Sequence, residues 1–263
     1  MRKISNALSL LRSILVFDPL IYLYTFVLGT LSLLSSFFDR DGGIQHGFAR
    51  LWSYLILKTS LVRVRVTGLD PSAHAAPAVY AVNHASAFDI PVLYASLPFQ
   101  FRILAKKELF RYPFMGWHLK RSGQISVDAD TRGTNLRGVK QAVETLRSGM
   151  PLMIFPEGGR SADGHLQPFL GGAFYAAIRA GVDIVPMALV GTWEVLRMNT
   201  YHIHPGAVEL VVGERIPTRG YTIRDMERLS AHVREVIAGL YYERAKLRRP
   251  EPGAAAELLQ DPQ

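Results

Sequence analysis

Residues 19–38, PLIYLYTFVLGTLSLLSSFF, run for 20 positions without a charged side chain. As a helix rising about 1.5 Å per residue, such a stretch covers roughly 30 Å, the thickness of a bilayer's hydrocarbon core. Nothing else in the chain constrains the fold as strongly, because an uncharged run of this length belongs in lipid or in a protein interior. It exceeds the apolar core of a signal peptide and ends at Asp39-Arg40-Asp41 without a small-residue cleavage pattern, so it is expected to stay attached. Arg2, Lys3 and Arg12 precede it and Arg40, Arg50 and Lys58 follow, a tie that counts against a simple single crossing. A second apolar run, residues 51–57, is too short to span. It is expected to form an interfacial amphipathic helix with Trp52 and Tyr54 at headgroup depth. Residues 1–61 are therefore expected to form two membrane-anchoring helices; the alternative is that both pack on a globular domain.

After Val62 the periodicity changes. VRVRVTG alternates as a half-buried strand does, and AVYAVN, FRILA, QISV, PLMIF, IVPMALV and VELVV follow as short β-rich runs. Between them, Leu136, Val139, Val143 and Leu146 recur at helical spacing, as do Met226, Leu229, Val233, Val236, Ile237 and Leu240 near the end. Strands alternating with helices predict an α/β domain over residues 62–249, with a largely parallel or mixed sheet flanked by helices. Residues 250–263 lack periodicity and are expected to be a disordered tail. With 49% hydrophobic and 20% charged residues in 263, the chain has the composition of one packed domain plus an appendage.

Charge and cysteine content narrow the chemistry. A formal charge of +8 favours anionic partners: anionic lipid, phosphorylated substrates, an acidic carrier protein or nucleic acid. Nucleic acid is not expected, since the basic residues are spread along the chain and no recognition motif accompanies them. The absence of cysteine removes disulfides, thiolate nucleophiles and Cys-ligated metal. No P-loop, G-x-G-x-x-G or H-E-x-x-H occurs. His202 and His204 would share one face of a strand, but no third ligand at useful spacing supports a metal site, and none is expected.

The strongest local signal is Asn83-His84-Ala-Ser-Ala-Phe-Asp89, directly after the strand AVYAV and before the apolar IPVLYASL. On one helix, five positions turn through about 500°, leaving the side chains roughly 140° apart, and in a strand they face opposite ways. His84 and Asp89 can meet only if a turn folds the histidine back over the start of a helix. At the carboxyl end of a strand, where α/β proteins place their sites, Asp89 could then orient His84 as a general base. The alternative is a capping histidine and a solvated first-turn acid.

A second signal is Phe155-Pro156-Glu157-Gly158-Gly159-Arg160-Ser161, which follows PLMIF. Two glycines let backbone amides approach an anion, and Arg160 offers a planar fork for phosphate or carboxylate; the bland reading is a tight turn with a surface Arg–Glu pair. Ser161 nearly completes a G-x-S-x-G nucleophile elbow, but the second glycine arrives one residue late and Ser161 reads as a loop hydroxyl.

Together, H-x4-D and FPEG-x-R on one β-rich domain behind a lipid-seeking terminus resemble the glycerolipid acyltransferase family, the bacterial 1-acylglycerol-3-phosphate acyltransferases. The resemblance runs from about Ala78 to Gly213. Ala105 to Leu109, Pro113, Gly116 and Gly123 to Asp128 resemble its second block, and Val185-Pro186-Met187 with Gly191 its fourth. It implies a glycerol-3-phosphate acyltransferase-like fold. His84 would deprotonate an acceptor hydroxyl, Asp89 would orient His84, and the alkoxide would attack an acyl thioester without an acyl-enzyme. Glu157, Gly158 and Arg160 would contribute to the acceptor site, Arg160 to its phosphate. The partners implied are a lysophospholipid acceptor, an acyl-CoA or acyl carrier protein thioester as co-substrate, and membrane lipid, with no cofactor. The implied location is the membrane, at the cytoplasmic face of the inner (plasma) membrane.

Two positions depart from the family pattern. Ala129, before Asp130, stands where an Arg implicated in phosphate recognition is usual, and Gly159 stands where Thr is usual. Lys106, Lys107, Arg121 and Arg132 are candidate replacements for the missing cation. The loss leaves room for another lysolipid acceptor. A non-catalytic, membrane-associated protein that binds anionic lipid is the reading from a different class.

Overall fold

The computed structural model describes residues 2–70, 77–127 and 136–250. Asp128, Ala129, Asp130 and Arg132, and the tail from residue 251, lie outside the described residues. The chain opens with helix α1 (Arg2–Arg12), a π-helical turn (Ser13–Phe17) and α2 (Asp18–Ser35), which run on as one rod. A turn leads to α3 (Gly43–Thr59), which folds back along α2: Trp52 Nε1 donates to Thr25 Oγ1 at 2.9 Å, and the Tyr24 and Thr59 hydroxyls lie 3.1 Å apart.

All seven runs read as β-rich are strands: β1 (Arg63–Thr67), β2 (Ala78–Val82), β3 (Arg102–Lys106), β4 (Ile125–Val127), β5 (Leu152–Ile154), β6 (Asp183–Val190) and β7 (Ala207–Val212). They form one sheet in the order β1-β7-β6-β2-β5-β3-β4. From β6 to β4 every pairing is parallel. β7 pairs antiparallel with β6 and parallel with β1, which makes the sheet mixed. The helices are α4 (Asp89–Ser96), α5 (Met115–Arg121), α6 (Leu136–Arg147), α7 (Gly172–Ala180), α8 (Thr192–Val195) and α9 (Met226–Tyr242).

Each face of the sheet has its own core. On central β2, period two sends Ala78, Tyr80 and Val82 to one face and Val79 and Ala81 to the other, all fully buried. The first face is covered by Ile56 and Leu57 of α3 and Val92 and Leu93 of α4. The second is covered by Ala142 and Leu146 of α6, Phe174 of α7, and Leu229, Val233 and Ile237 of α9. The edge strand β1 keeps Arg63 and Arg65 exposed, charges that discourage pairing with another chain.

The second helix differs from the sequence expectation. Instead of lying apart as an interfacial helix, α3 packs on α4 and the sheet, and Trp52 is half-buried against α2 rather than directed outward; Tyr54 remains exposed. The physical reason lies in its inward face, which is partly polar: Gln45, His46 and Ser53 are buried beside Ile56 and Leu57. Burial pushes the His46 imidazole down to about 4, helped by the nearby Arg50 and Arg102 charges.

One helix, residues Asn6–Ser35, is long and apolar enough to cross a membrane. Its outer side exposes Leu8, Leu11, Leu15, Leu23, Leu31 and Leu34, and Phe37 and Phe38 follow at its end. Its other side touches protein: Ser13 exchanges hydrogen bonds with the backbone of Ile203, Ser32 Oγ meets His118 Nδ1 of α5 at 2.8 Å, and the Phe26 and Phe114 rings pack edge to face.

Candidate active site

Strands β6, β2, β5, β3 and β4 run parallel, so their carboxyl ends share one edge of the sheet, where ligands bind in open α/β sheets. His84 leaves the end of β2 there. Just before it, Asn83 is buried, donating to the Leu189 carbonyl at 3.0 Å and accepting from the Leu189 amide at 2.7 Å. This side chain stands in for backbone and holds the end of β2 to β6.

The turn after His84 brings the histidine back over the first turn of α4. His84 Nδ1 and Asp89 Oδ2 are 2.7 Å apart, and the same oxygen accepts the Ala85 and Ser86 amides at 2.8 and 2.9 Å. An acceptor that already holds two amide donors sets the tautomer: Nδ1 carries the proton and Nε2 its lone pair. Asp89 is fully buried, while the His84 side chain is 18% exposed, open to one incoming group. Phe155 stacks on the imidazole with ring centroids 4.1 Å apart.

The loop after β5 meets this turn. Glu157 is half-buried and accepts the His84 amide on Oε1 at 2.8 Å and the Gln167 amide on Oε2 at 2.9 Å. Burial raises its carboxyl to about 8 against the two amide hydrogen bonds, which pull the other way, as the Arg234 charge does more weakly; Asp89 adds to the rise. The Ser161 amide donates to the His84 carbonyl at 2.8 Å, so the histidine's backbone is gripped on both sides by one loop. Gly158 turns that loop with φ +70°, and a Cβ there would stand 2.5 Å from Leu170. Arg160 is exposed and has no partner among the described residues. A Cβ added at Gly159 would lie 3.7 Å from Lys106 Nζ, so the ammonium at the end of β3 lies against the loop beside Arg160.

The structure thus brings together His84, Asp89, Glu157, Gly158 and Arg160. It also brings in Asn83, Phe155 and Lys106: Asn83 and Phe155 stood inside the quoted motifs with no role, and Lys106 was one candidate cation among four. Ser161 is buried, with Oγ donating to Asp163 and accepting the Gly164 amide, as a loop hydroxyl does. His202 and His204 are not on a strand. They lie in a loop with rings 3.9 Å apart, and among the described residues no cluster of three metal-ligating side chains occurs.

A histidine tied to a buried carboxylate, beside an exposed cationic loop at the parallel edge of an α/β sheet, is an arrangement suited to general-base chemistry on an anionic substrate. Residues 63–190 match the model of the family described as Acyltransferase. A 1-acyl-sn-glycerol-3-phosphate acyltransferase of Chlamydomonas reinhardtii is 31% identical over 71% of this chain and 53% of its own length. A chloroplastic one of Arabidopsis thaliana is 32% identical over 65% of this chain and 48% of its own length. The chain therefore spans about half the length of these curated relatives. A crystal structure of the 1-acyl-sn-glycerophosphate acyltransferase of Thermotoga maritima superposes with a TM-score of 0.73 at 25% identity, covering 90% of this chain and 95% of that one.

Proposed function

We propose that the protein is a membrane-associated O-acyltransferase that transfers an acyl group from an acyl thioester to the free hydroxyl of 1-acyl-sn-glycerol-3-phosphate, giving phosphatidate. The observation that carries this reading is the His84–Asp89 pair, with Nδ1 tied to a buried carboxylate and the imidazole partly exposed at the end of β2. The acceptor hydroxyl gives its proton to Nε2 as its oxygen bonds to the thioester carbonyl carbon. Asp89 stabilises the imidazolium that forms. The C–S bond then breaks, and the leaving thiolate takes the proton back from Nε2, so the histidine returns to its starting state.

Arg160, in the loop after β5, and Lys106, whose ammonium lies against that loop, are assigned to the acceptor's phosphate, with Lys106 supplying a cation that the residue at position 129 does not. Glu157 and Gly158 shape this subsite from within: both carboxylate oxygens of Glu157 are taken up by backbone amides, and Gly158 makes the turn that presents Arg160. The absence of Arg at position 129 favours one second reading, another lysolipid as acceptor through the same mechanism.

Membrane association is assigned to the outer side of α1 and α2. Because their other side is tied to α3, α5 and the loop at Ile203, a lone crossing would strip these contacts, and an anchor lying in the membrane beside the domain accounts for them better. The cytoplasmic face of the inner membrane is the side on which polar acyl thioesters reach the site. The test is product identification: the full chain in mixed micelles with an acyl thioester and lysophosphatidate is expected to form phosphatidate. Transfer only to a different lysolipid would replace the acceptor, and no transfer to any acceptor would remove the reading.

A further inference from the structure

Acyl transfer of this kind brings together two phosphate-bearing substrates, because a lysophosphatidate acceptor and a pantetheine-based thioester donor each carry at least one. The catalytic histidine must lie between the two. Arg160 and Lys106 belong to the β5–β3 side of the sheet edge; the β6 side carries its own group of basic residues.

After β6, Gly191 turns the chain with φ +91°, its Cα so close to β7 that a Cβ would stand 2.5 Å from the Ala207 carbonyl oxygen. The segment that follows, residues 192–204, touches three parts of the site. Trp193 Nε1 donates to the Ala162 carbonyl of the glycine loop at 3.2 Å. Ser86 Oγ, within the catalytic turn, donates to the Leu196 carbonyl at 2.7 Å. His202 Nε2 lies 3.0 Å from Ser9 Oγ of α1, and the same hydroxyl accepts from Arg12 at 3.3 Å.

Four basic side chains converge there. Arg197, the residue after the carbonyl that holds the catalytic turn, is exposed and lies over the Trp193 ring at 4.4 Å. The His202 and His204 rings lie tilted against each other, and Arg12 closes the group from α1, its Nε buried without a partner. No carboxylate pairs with Arg12 or Arg197 among the described residues. Burial lowers the His204 imidazole first, and His202, Arg197 and Arg12 lower it further, which places all three within electrostatic reach of His204. Two uncompensated arginines gathered with two imidazoles beside a catalytic turn form a site for an anion.

We propose that Arg197, Arg12, His202 and His204 form the donor's phosphate subsite, holding the phosphate of the pantetheine arm while its thioester reaches His84. This inference rests on the acyltransferase reading. A phosphate of acyl-CoA and that of an acyl carrier protein present the same chemistry at the head of the arm, and the phosphates of CoA's nucleotide are the other source.

The test compares wild type with Arg197→Gln and Arg12→Gln, full chain in neutral micelles, using acyl-CoA, acyl carrier protein thioester and S-acyl-pantetheine, which lacks phosphate. Loss of one charge-assisted phosphate contact is expected to raise KM for the phosphate-bearing donors about tenfold more than KM for S-acyl-pantetheine. The KM for lysophosphatidate and sedimentation with phosphatidylglycerol vesicles are expected to stay as in wild type. A rise for both natural donors assigns the shared phosphate; a rise for acyl-CoA alone assigns its nucleotide phosphates. Equal shifts for all three donors would overturn the subsite. Weakened vesicle sedimentation with donor KM intact would make the patch a lipid-headgroup contact instead. Should wild type transfer to no acceptor, the acyltransferase reading fails separately, and calorimetric titration with CoA then decides: tighter binding by wild type than by Arg197→Gln upholds the subsite, and equal or absent binding removes it.

Discussion

Oδ2 of Asp89 holds the catalytic imidazole and the two amides that fold the turn, so charge and geometry there can be separated by substitution. Asp89→Asn keeps a carbonyl oxygen for the amides but loses the charge that stabilises the imidazolium. Its kcat is expected to fall about 10²- to 10⁴-fold with acceptor KM little changed; a fall in both stability and KM instead would make Asp89 structural. Arg160→Ala is expected to raise the acceptor KM about tenfold or more while kcat holds, measured with lysophosphatidate as the varied substrate. An unchanged KM would take Arg160 out of the phosphate site. Glu157 makes a pH prediction. Its folded value of about 8 lies above the unfolded carboxylate value, so the folded state binds more protons between the two, and stability falls as pH rises through that window. Glu157→Gln is expected to flatten the fall in melting temperature between about pH 5 and 8; an equal slope in both proteins would place the titration elsewhere. At this scale the sequence was readable where side chain meets side chain, since H-x4-D closes only through a turn. The work of Glu157 and Asn83 was not legible, because their partners are backbone groups 73 and 106 residues away.

One alternating run, VRVRVTG, and six short β-rich runs marked all seven strands, and the helical repeats of α6 and α9 marked two of the helices that cover one face. α3 escaped such a reading because its two faces are mixed: Gln45, His46 and Ser53 are buried beside Ile56 and Leu57, while Ile44, Leu51 and Tyr54 stay exposed. Hydropathy alone sends that outer face to lipid and says nothing of the polar side that docks on α4. Two variants separate these faces. Ile56→Ala, which empties a buried core position, is expected to cost about 2–5 kcal/mol of unfolding free energy in urea melts. Leu23→Gln, Leu31→Gln and Leu34→Gln together change only exposed positions of α2, and are expected to weaken vesicle sedimentation with the melting temperature nearly unchanged. A stability loss with vesicle binding intact would make that face a protein contact. Removing residues 1–60 is a poorer test, because it takes Ile56 and Leu57 out of the core along with the anchor.

Across the molecule, the mixed sheet gives the parallel strand ends to chemistry and turns β7 and β1 to close one side. The apolar rod of α1 and α2 is joined to the same edge through Ser13, Ile203 and Ser9, so the surface that enters lipid and the histidine that would act on lipid are mechanically one piece. The central claim is that His84 is the base for acyl transfer at that surface. The most direct measurement is transfer of a labelled acyl group from acyl-CoA to lysophosphatidate by wild type and His84→Ala in matched membranes. Labelled phosphatidate formed by wild type, with turnover reduced about 10²- to 10⁴-fold in the variant, is the predicted result. Equal turnover by both proteins would contradict it.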